Sequence, residues 1–148
     1  MAVSAAFLDT WAWLRVLNDS DPAHGSVLKA VEKLLATSQP LFTSWPVVCE
    51  TIDLVSSARG RQDFGRQGGD LVAGQLLERI DEGFVKIVPL DDAAMASALR
   101  LRIKHGAIKD LSLTDCTTAV AVQRIGCSTL ISGDKHFKKL LPNVALRP

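Results

Sequence analysis

Short, wholly apolar runs alternate along this chain with segments of helical period, and that alternation restricts the fold more than any other feature. Ala5-Ala6-Phe7-Leu8 is a continuous apolar run ending at Asp9, the pattern of a strand covered on both faces of a parallel sheet. From Val27 the apolar positions Val27, Leu28, Val31, Leu34 and Leu35 fall at helical spacing, and Pro40 stops that helix before the strand-like Leu41-Phe42-Thr43. Ser44 and Pro46 mark the next helix start, and Val47, Val48, Ile52, Leu54 and Val55 form an apolar stripe that ends near Gly60. Arg59 to Asp70, rich in Gly and Gln, reads as a loop. An amphipathic segment over Leu71, Val72, Leu76, Leu77 and Ile80 then leads into the β-branched run Phe84 to Val88, closed by Pro89. A helix over Ala93 to Lys104, another over Leu113 to Ile125 and the strand Thr129 to Ile131 complete the pattern. The expectation is an α/β sandwich with a mostly parallel central sheet flanked by helices.

With 148 residues, 47% of them hydrophobic, one domain spanning the chain can bury a core without disulfide or metal staples. No apolar stretch approaches the ~20 residues of a membrane span, so no membrane anchor is expected. The opening Met1-Ala2-Val3-Ser4 has no basic residue ahead of its apolar run, which argues against a secretion signal. Cys49, Cys116 and Cys127 are odd in number and lack C-x-x-C spacing, which suits a reducing cytoplasm. A formal net charge of +1 means that any nucleic-acid surface must concentrate its basic residues locally.

Ligand crevices of open parallel sheets lie beyond the carboxyl ends of the strands, where Asp9 and Asp134 are expected. Taken singly, an Asp after a strand is more often an N-cap or turn residue. Asp115 ends the capping-box sequence Ser112-Leu113-Thr114-Asp115, so helix capping alone would account for it. Glu50 falls at the margin of its helix's apolar stripe, with Asp53 expected to be more exposed. A carboxylate so placed needs a partner, and a cation is a natural one. If these acids converge, their repulsion is relieved by a divalent ion, and oxygen ligation with no His-x-His, H-E-x-x-H or Cys pair favours Mg²⁺ or Mn²⁺.

Four segments, in order, carry a family resemblance. They are Phe7-Leu8-Asp9-Thr10, Thr43-Ser44-Trp45-Pro46-Val47-Val48-Cys49-Glu50, Leu113-Thr114-Asp115-Cys116 with Ala119-Val120-Ala121, and Leu130-Ile131-Ser132-Gly133-Asp134-Lys135-His136-Phe137. The sequence resembles the PIN-domain ribonucleases, and among them the VapC-like toxins of bacterial toxin-antitoxin pairs, over nearly its whole length. The resemblance implies a PIN-like three-layer sandwich and a metal-dependent endoribonuclease hydrolysing RNA phosphodiester bonds. It implies that Asp9, Glu50, Asp115 and Asp134 ligate Mg²⁺ or Mn²⁺, with Ser132 and Thr10 in support. A cognate antitoxin and a homodimer are the implied partners, beside the RNA. Gly133 departs from the family pattern, which often has a larger, basic residue there.

Candidate RNA contacts are Lys135 and Lys138, beside Lys139 just past the fourth acid, and Arg59 and Arg61, with Arg66, on the expected loop. Trp11, Trp13 and Trp45 are read as core or interface packing rather than base-stacking surfaces. His24, His105 and His136 receive no catalytic role, and Cys49 and Cys116 are read as small core side chains. Two alternatives stand beside the nuclease. One is a noncatalytic PIN-like scaffold that binds RNA or protein. The other is a phosphoaspartyl-type phosphohydrolase, against which Trp11 stands where a second Asp is needed.

Overall fold

A computed structural model describes residues 3–148; Met1 and Ala2, part of the segment read as lacking a secretion signal, lie outside the described residues. The elements are β1 (Val3–Leu8), α1 (Thr10–Leu17), α2 (His24–Ala36), β2 (Leu41–Thr43), α3 (Trp45–Ser56), α4 (Gly60–Phe64), α5 (Gly68–Asp81), β3 (Lys86–Ile87), α6 (Asp92–Lys104), α7 (Leu113–Ile125), β4 (Cys127–Ile131), α8 (Phe137–Leu140) and β5 (Ala145–Arg147). The strands form one sheet in the order β3-β2-β1-β4-β5, and every pairing is parallel. Among the described residues no helix is long and apolar enough to cross a membrane.

Continuous apolar strands fit this sheet because helices cover both of its faces. Ala5, Ala6, Phe7 and Leu8 of β1 and Leu130 and Ile131 of β4 are all buried. From central β1 the chain builds outward through β2 and β3 on one side, then places β4 and β5 on the other. The order therefore reverses between β1 and β4, which opens a crevice at their carboxyl ends. Register pairs Leu8 with Ile131, so Asp9 and Ser132 leave the sheet side by side.

Buried hydrogen bonds fix where β1 ends. Trp13 Nε1 donates to Thr43 Oγ1 at 3.1 Å, and the Thr43 hydroxyl donates to the Leu8 carbonyl at 3.0 Å. Both members of this relay are buried, so α1, β2 and the last residue before Asp9 are tied together where water cannot substitute.

Three sequence expectations need correction. Arg59 to Asp70 is largely helical, split between α4 and the start of α5. Its glycines serve close packing as well as turning: a Cβ on Gly60 would fall 2.1 Å from the Leu54 carbonyl oxygen, whereas Gly65 turns the chain at φ +80°. The strand expected over Phe84 to Val88 shrinks to Lys86–Ile87 at the sheet edge, although Val88 N still donates to Thr43 O at 2.9 Å. β5 was not anticipated, because three residues with only Leu146 partly buried and an arginine at the end present no apolar run.

Thr43→Val should lower folding stability by about 1–3 kcal/mol, because it strands the buried Trp13 N–H and Leu8 carbonyl. Urea unfolding of the two proteins measures this; equal stability would show that the relay does not brace the end of β1.

Candidate metal centre

Each predicted acid reaches the crevice from a different part of the chain. Asp9 follows β1 and is the N-cap of α1, its Oδ1 accepting from Ala12 N at 3.0 Å. Glu50 lies within α3, which packs against both α1 and α7. Asp115 is the third residue of α7, and Asp134 follows β4. Asp9, Glu50, Asp115 and Asp134 line one open cleft, together with Thr10, Trp11 and Arg15.

Local hydrogen bonding orients these carboxylates. Asp115 closes a capping box in which its Oδ2 accepts from Ser112 N at 3.0 Å while Ser112 Oγ accepts from Asp115 N at 3.0 Å. Ser132 Oγ accepts from Asp134 N at 3.0 Å, and its side chain also hydrogen-bonds Asp9. Asp134 Oδ1 accepts from His136 N at 2.9 Å, forming a tight turn. Capping and convergence are thus one arrangement: Asp9, Asp115 and Asp134 each use part of their hydrogen-bonding capacity to hold their own orientation, leaving lone pairs for the cleft. The N-termini of α1 and α7 also bring positive dipole ends toward the acids.

Charge is nevertheless poorly compensated. Burial is the largest influence on Asp9 and pushes its carboxyl up to about 7, against the lowering effects of Ser132 and Ala12, with Asp115 and Asp134 raising it further. Asp115 is also raised, first by burial and then by the neighbouring charges of Asp134 and Glu50. Among the described residues no Lys or Arg pairs with any of the four acids; His136 alone approaches them. Thr10 Oγ1 is buried without a hydrogen-bond partner, in a residue lining the same cleft. Oxygen donors lacking cations, with an orphaned hydroxyl among them, fit a hard divalent ion. Among the described residues, Asp115, Asp134 and His136 form a donor set whose ligand atoms lie within 4.8 Å of one another. Asp9 and Glu50 share the cleft without joining that set.

Residues 6–140 match the PIN domain family model. The chain belongs to the PIN-domain family. Its PIN fold is similar to that of VapC20 from Mycobacterium tuberculosis, described as a sarcin-ricin loop cleaving toxin, with 21% identity, a TM-score of 0.74 and coverage of 97% of this chain and 100% of that one. VapBC2 from Rickettsia felis, solved bound to a DNA fragment from its promoter, aligns at 19% identity and TM-score 0.64, covering 96% of each chain. FitAcB from Neisseria gonorrhoeae aligns at 18% identity and TM-score 0.59, covering 97% of this chain and 96% of its own. No curated protein sequence matches the chain.

Glycine at 133, the departure from the PIN pattern, has a local cause. A Cβ there would lie 2.4 Å from Trp11 Cε2, so the indole occupies the space that a larger side chain would need. The same ring carries the Arg15 guanidinium 4.5 Å from its centroid, which sets Arg15, a residue sequence reading did not single out, at the cleft. Of the other tryptophans, Trp13 is core as expected, whereas Trp45 is exposed.

The candidate RNA contacts lie around the acids rather than among them. Lys135 and Lys138 are exposed at the turn before α8 and within it; Arg59 and Arg61 are exposed at the start of α4. Arg59 and Arg15 share a hollow beside the acid cleft. Cys49, read as core, is exposed, because the turn of α3 that buries Val47 and Val48 rotates it outward; Cys116 is buried. Asp53 is exposed and Glu50 partly buried, as expected.

His136, given no catalytic role from sequence, lies with its Nδ1 3.1 Å from Asp134 Oδ1. It stands two residues after Asp134, where a tight turn folds the ring back toward that carboxylate. His24 instead sits at the start of α2, with Nδ1 2.7 Å from the Arg15 carbonyl oxygen.

Asp9→Asn keeps a good N-cap side chain but removes the buried charge. A carboxyl raised from 3.8 to about 7 favours the folded state below pH ~4, and that contribution is lost as pH rises through about 7. In EDTA the variant's stability advantage over the parent should therefore grow between pH 5 and pH 8, by about 2–3 kcal/mol. Thermal melts at both values test this; a difference that does not change with pH would contradict the charge account. Gly133→Lys, by displacing Trp11, should lower stability by about 1–3 kcal/mol, and an unchanged melting temperature would refute that packing.

Proposed function

We propose that this PIN-domain protein is a metal-dependent endoribonuclease, one domain over its whole length, that hydrolyses RNA phosphodiester bonds as the toxin of a toxin-antitoxin pair. The observation that carries the proposal is the convergence of Asp9, Glu50, Asp115 and Asp134 on one cleft with no Lys or Arg paired to them among the described residues. Mg²⁺ or Mn²⁺, when bound, supplies an activated water and neutralises charge developing on the scissile phosphate.

The four acids would hold the ion, and the hydrogen bonds of Asp9, Asp115 and Asp134 keep those carboxylates preorganised for it. Ser132 joins the loops after β1 and β4 by bonding both Asp9 and Asp134 N. Thr10, which lines the cleft, has a buried hydroxyl without a partner that would support the site. Lys135, Lys138, Arg59 and Arg61, with Arg15 at the rim, would meet the RNA backbone, since Arg and Lys neutralise phosphates without reading sequence. The openness of the cleft suits a polymer better than an enclosed small molecule.

An antitoxin partner and a homodimer are part of this reading. It is supported by the shared fold with VapBC2 and FitAcB and by the exposed Leu54, Leu71 and Leu77 on the packed helices α3 and α5, apolar surface that a partner would cover. The absence of disulfide spacing is the basis for a cytoplasmic setting.

Incubating the pure protein with single-stranded and structured RNAs should give cleavage with Mg²⁺ or Mn²⁺ and none with EDTA. Asp9→Asn and Glu50→Gln should each slow cleavage on the order of a hundredfold or more. Cleavage that survives chelation would sink the nuclease proposal, and so would cleavage that both variants leave intact. Carboxylate-dependent Mn²⁺ binding without any cleavage would favour an RNA- or protein-binding scaffold.

A further inference from the structure

We propose that His136 is itself a ligand of this centre, joining Asp115 and Asp134, and that its imidazole biases the site toward Mn²⁺ and other first-row ions over Mg²⁺. The proposal rests on the metal reading above and adds a nitrogen donor to an otherwise oxygen set.

His136 Nδ1 lies 3.1 Å from Asp134 Oδ1 and 3.8 Å from Asp115 Oδ2. Adjacent ligands of an octahedral ion at about 2.1 Å lie about 3.0 Å apart, and opposite ones about 4.2 Å. Both separations fall within the span that one ion's ligands occupy. Nδ1 is buried and forms no hydrogen bond, although it lies within ion-pair reach of both carboxylates. Nor does the local turn require the ring there, because it is closed by the His136 backbone N–H on Asp134 Oδ1. Thr10, a residue 8% exposed that lines the same cleft, has a second buried polar atom without a hydrogen-bond partner, its Oγ1.

A buried nitrogen set against two carboxylates without a formed hydrogen bond recovers only part of its desolvation penalty. A metal would engage both the nitrogen and the carboxylates. Imidazole is a softer donor than carboxylate or water, so its inclusion raises affinity for first-row transition ions relative to Mg²⁺. Ligation uses the neutral ring through Nδ1, leaving Nε2 to carry the proton.

Pulsed electron paramagnetic resonance on the full chain loaded with Mn²⁺ tests the assignment directly. Directly bound ¹⁴N should modulate the echo, and His136→Gln should remove the modulation while Mn²⁺ still binds. Calorimetry should show the ratio of Mn²⁺ to Mg²⁺ affinity falling on the order of tenfold in the same variant. Bound Mn²⁺ without nitrogen modulation, or modulation that persists in His136→Gln, would overturn the proposal while sparing the metal reading. Failure to bind Mn²⁺, or binding indifferent to Asp115→Asn, would overturn both.

Discussion

Parallel pairing of β1 with β4, in the register that sets Leu8 beside Ile131, is the constraint from which the rest of the site follows. It makes Asp9 and Ser132 neighbours at the point where strand order reverses, and Asp134 comes two residues later. A slip of one residue would exchange the side chains that meet the helices on the two covered faces, so the close packing that buries both strands also secures the acids. The Trp13–Thr43–Leu8 relay holds the same strand end from the other side.

Gathering carboxylates at that point opposes folding. Burial of Asp9 and its proximity to Asp115 and Asp134 favour the neutral form, and the capping interactions at α1 and α7 offset only part of this. Strain of this electrostatic kind is a recurring property of functional sites, where groups are held in arrangements that stability alone would not select. The dry core beneath the cleft lets the fold tolerate it.

Much of this site was legible because the signals that mark it are local. An apolar run ending in Asp, the Ser112-to-Asp115 capping box and the Ser132-x-Asp134 turn each involve residues a few positions apart, and each forms as read. The bland reading of Asp9 and Asp115 as helix caps was correct, and it leaves room for the proposed metal role, because a carboxylate has more lone pairs than a cap uses. Less legible were features set by neighbours distant in sequence. Gly133 looked like a missing side chain until the Trp11 indole was found in its place, and His136 looked partnerless until the turn brought its ring to Asp134 and Asp115. The glycine-rich stretch was read as loop because glycine's usual role in breaking helices outweighed its use for close approach.

The amino-acid sequence by itself determined most of the elements, their order and which acids are candidates for the site, since hydrophobic period, caps and breakers act over a few residues. Tertiary structure alone decided that residues 9, 50, 115 and 134 share one cleft, that β3 and β5 become the sheet edges, and that a histidine faces two of the acids. Those outcomes depend on strand order, register and helix packing across long separations, where proximity is set by how the whole core closes rather than by any local preference.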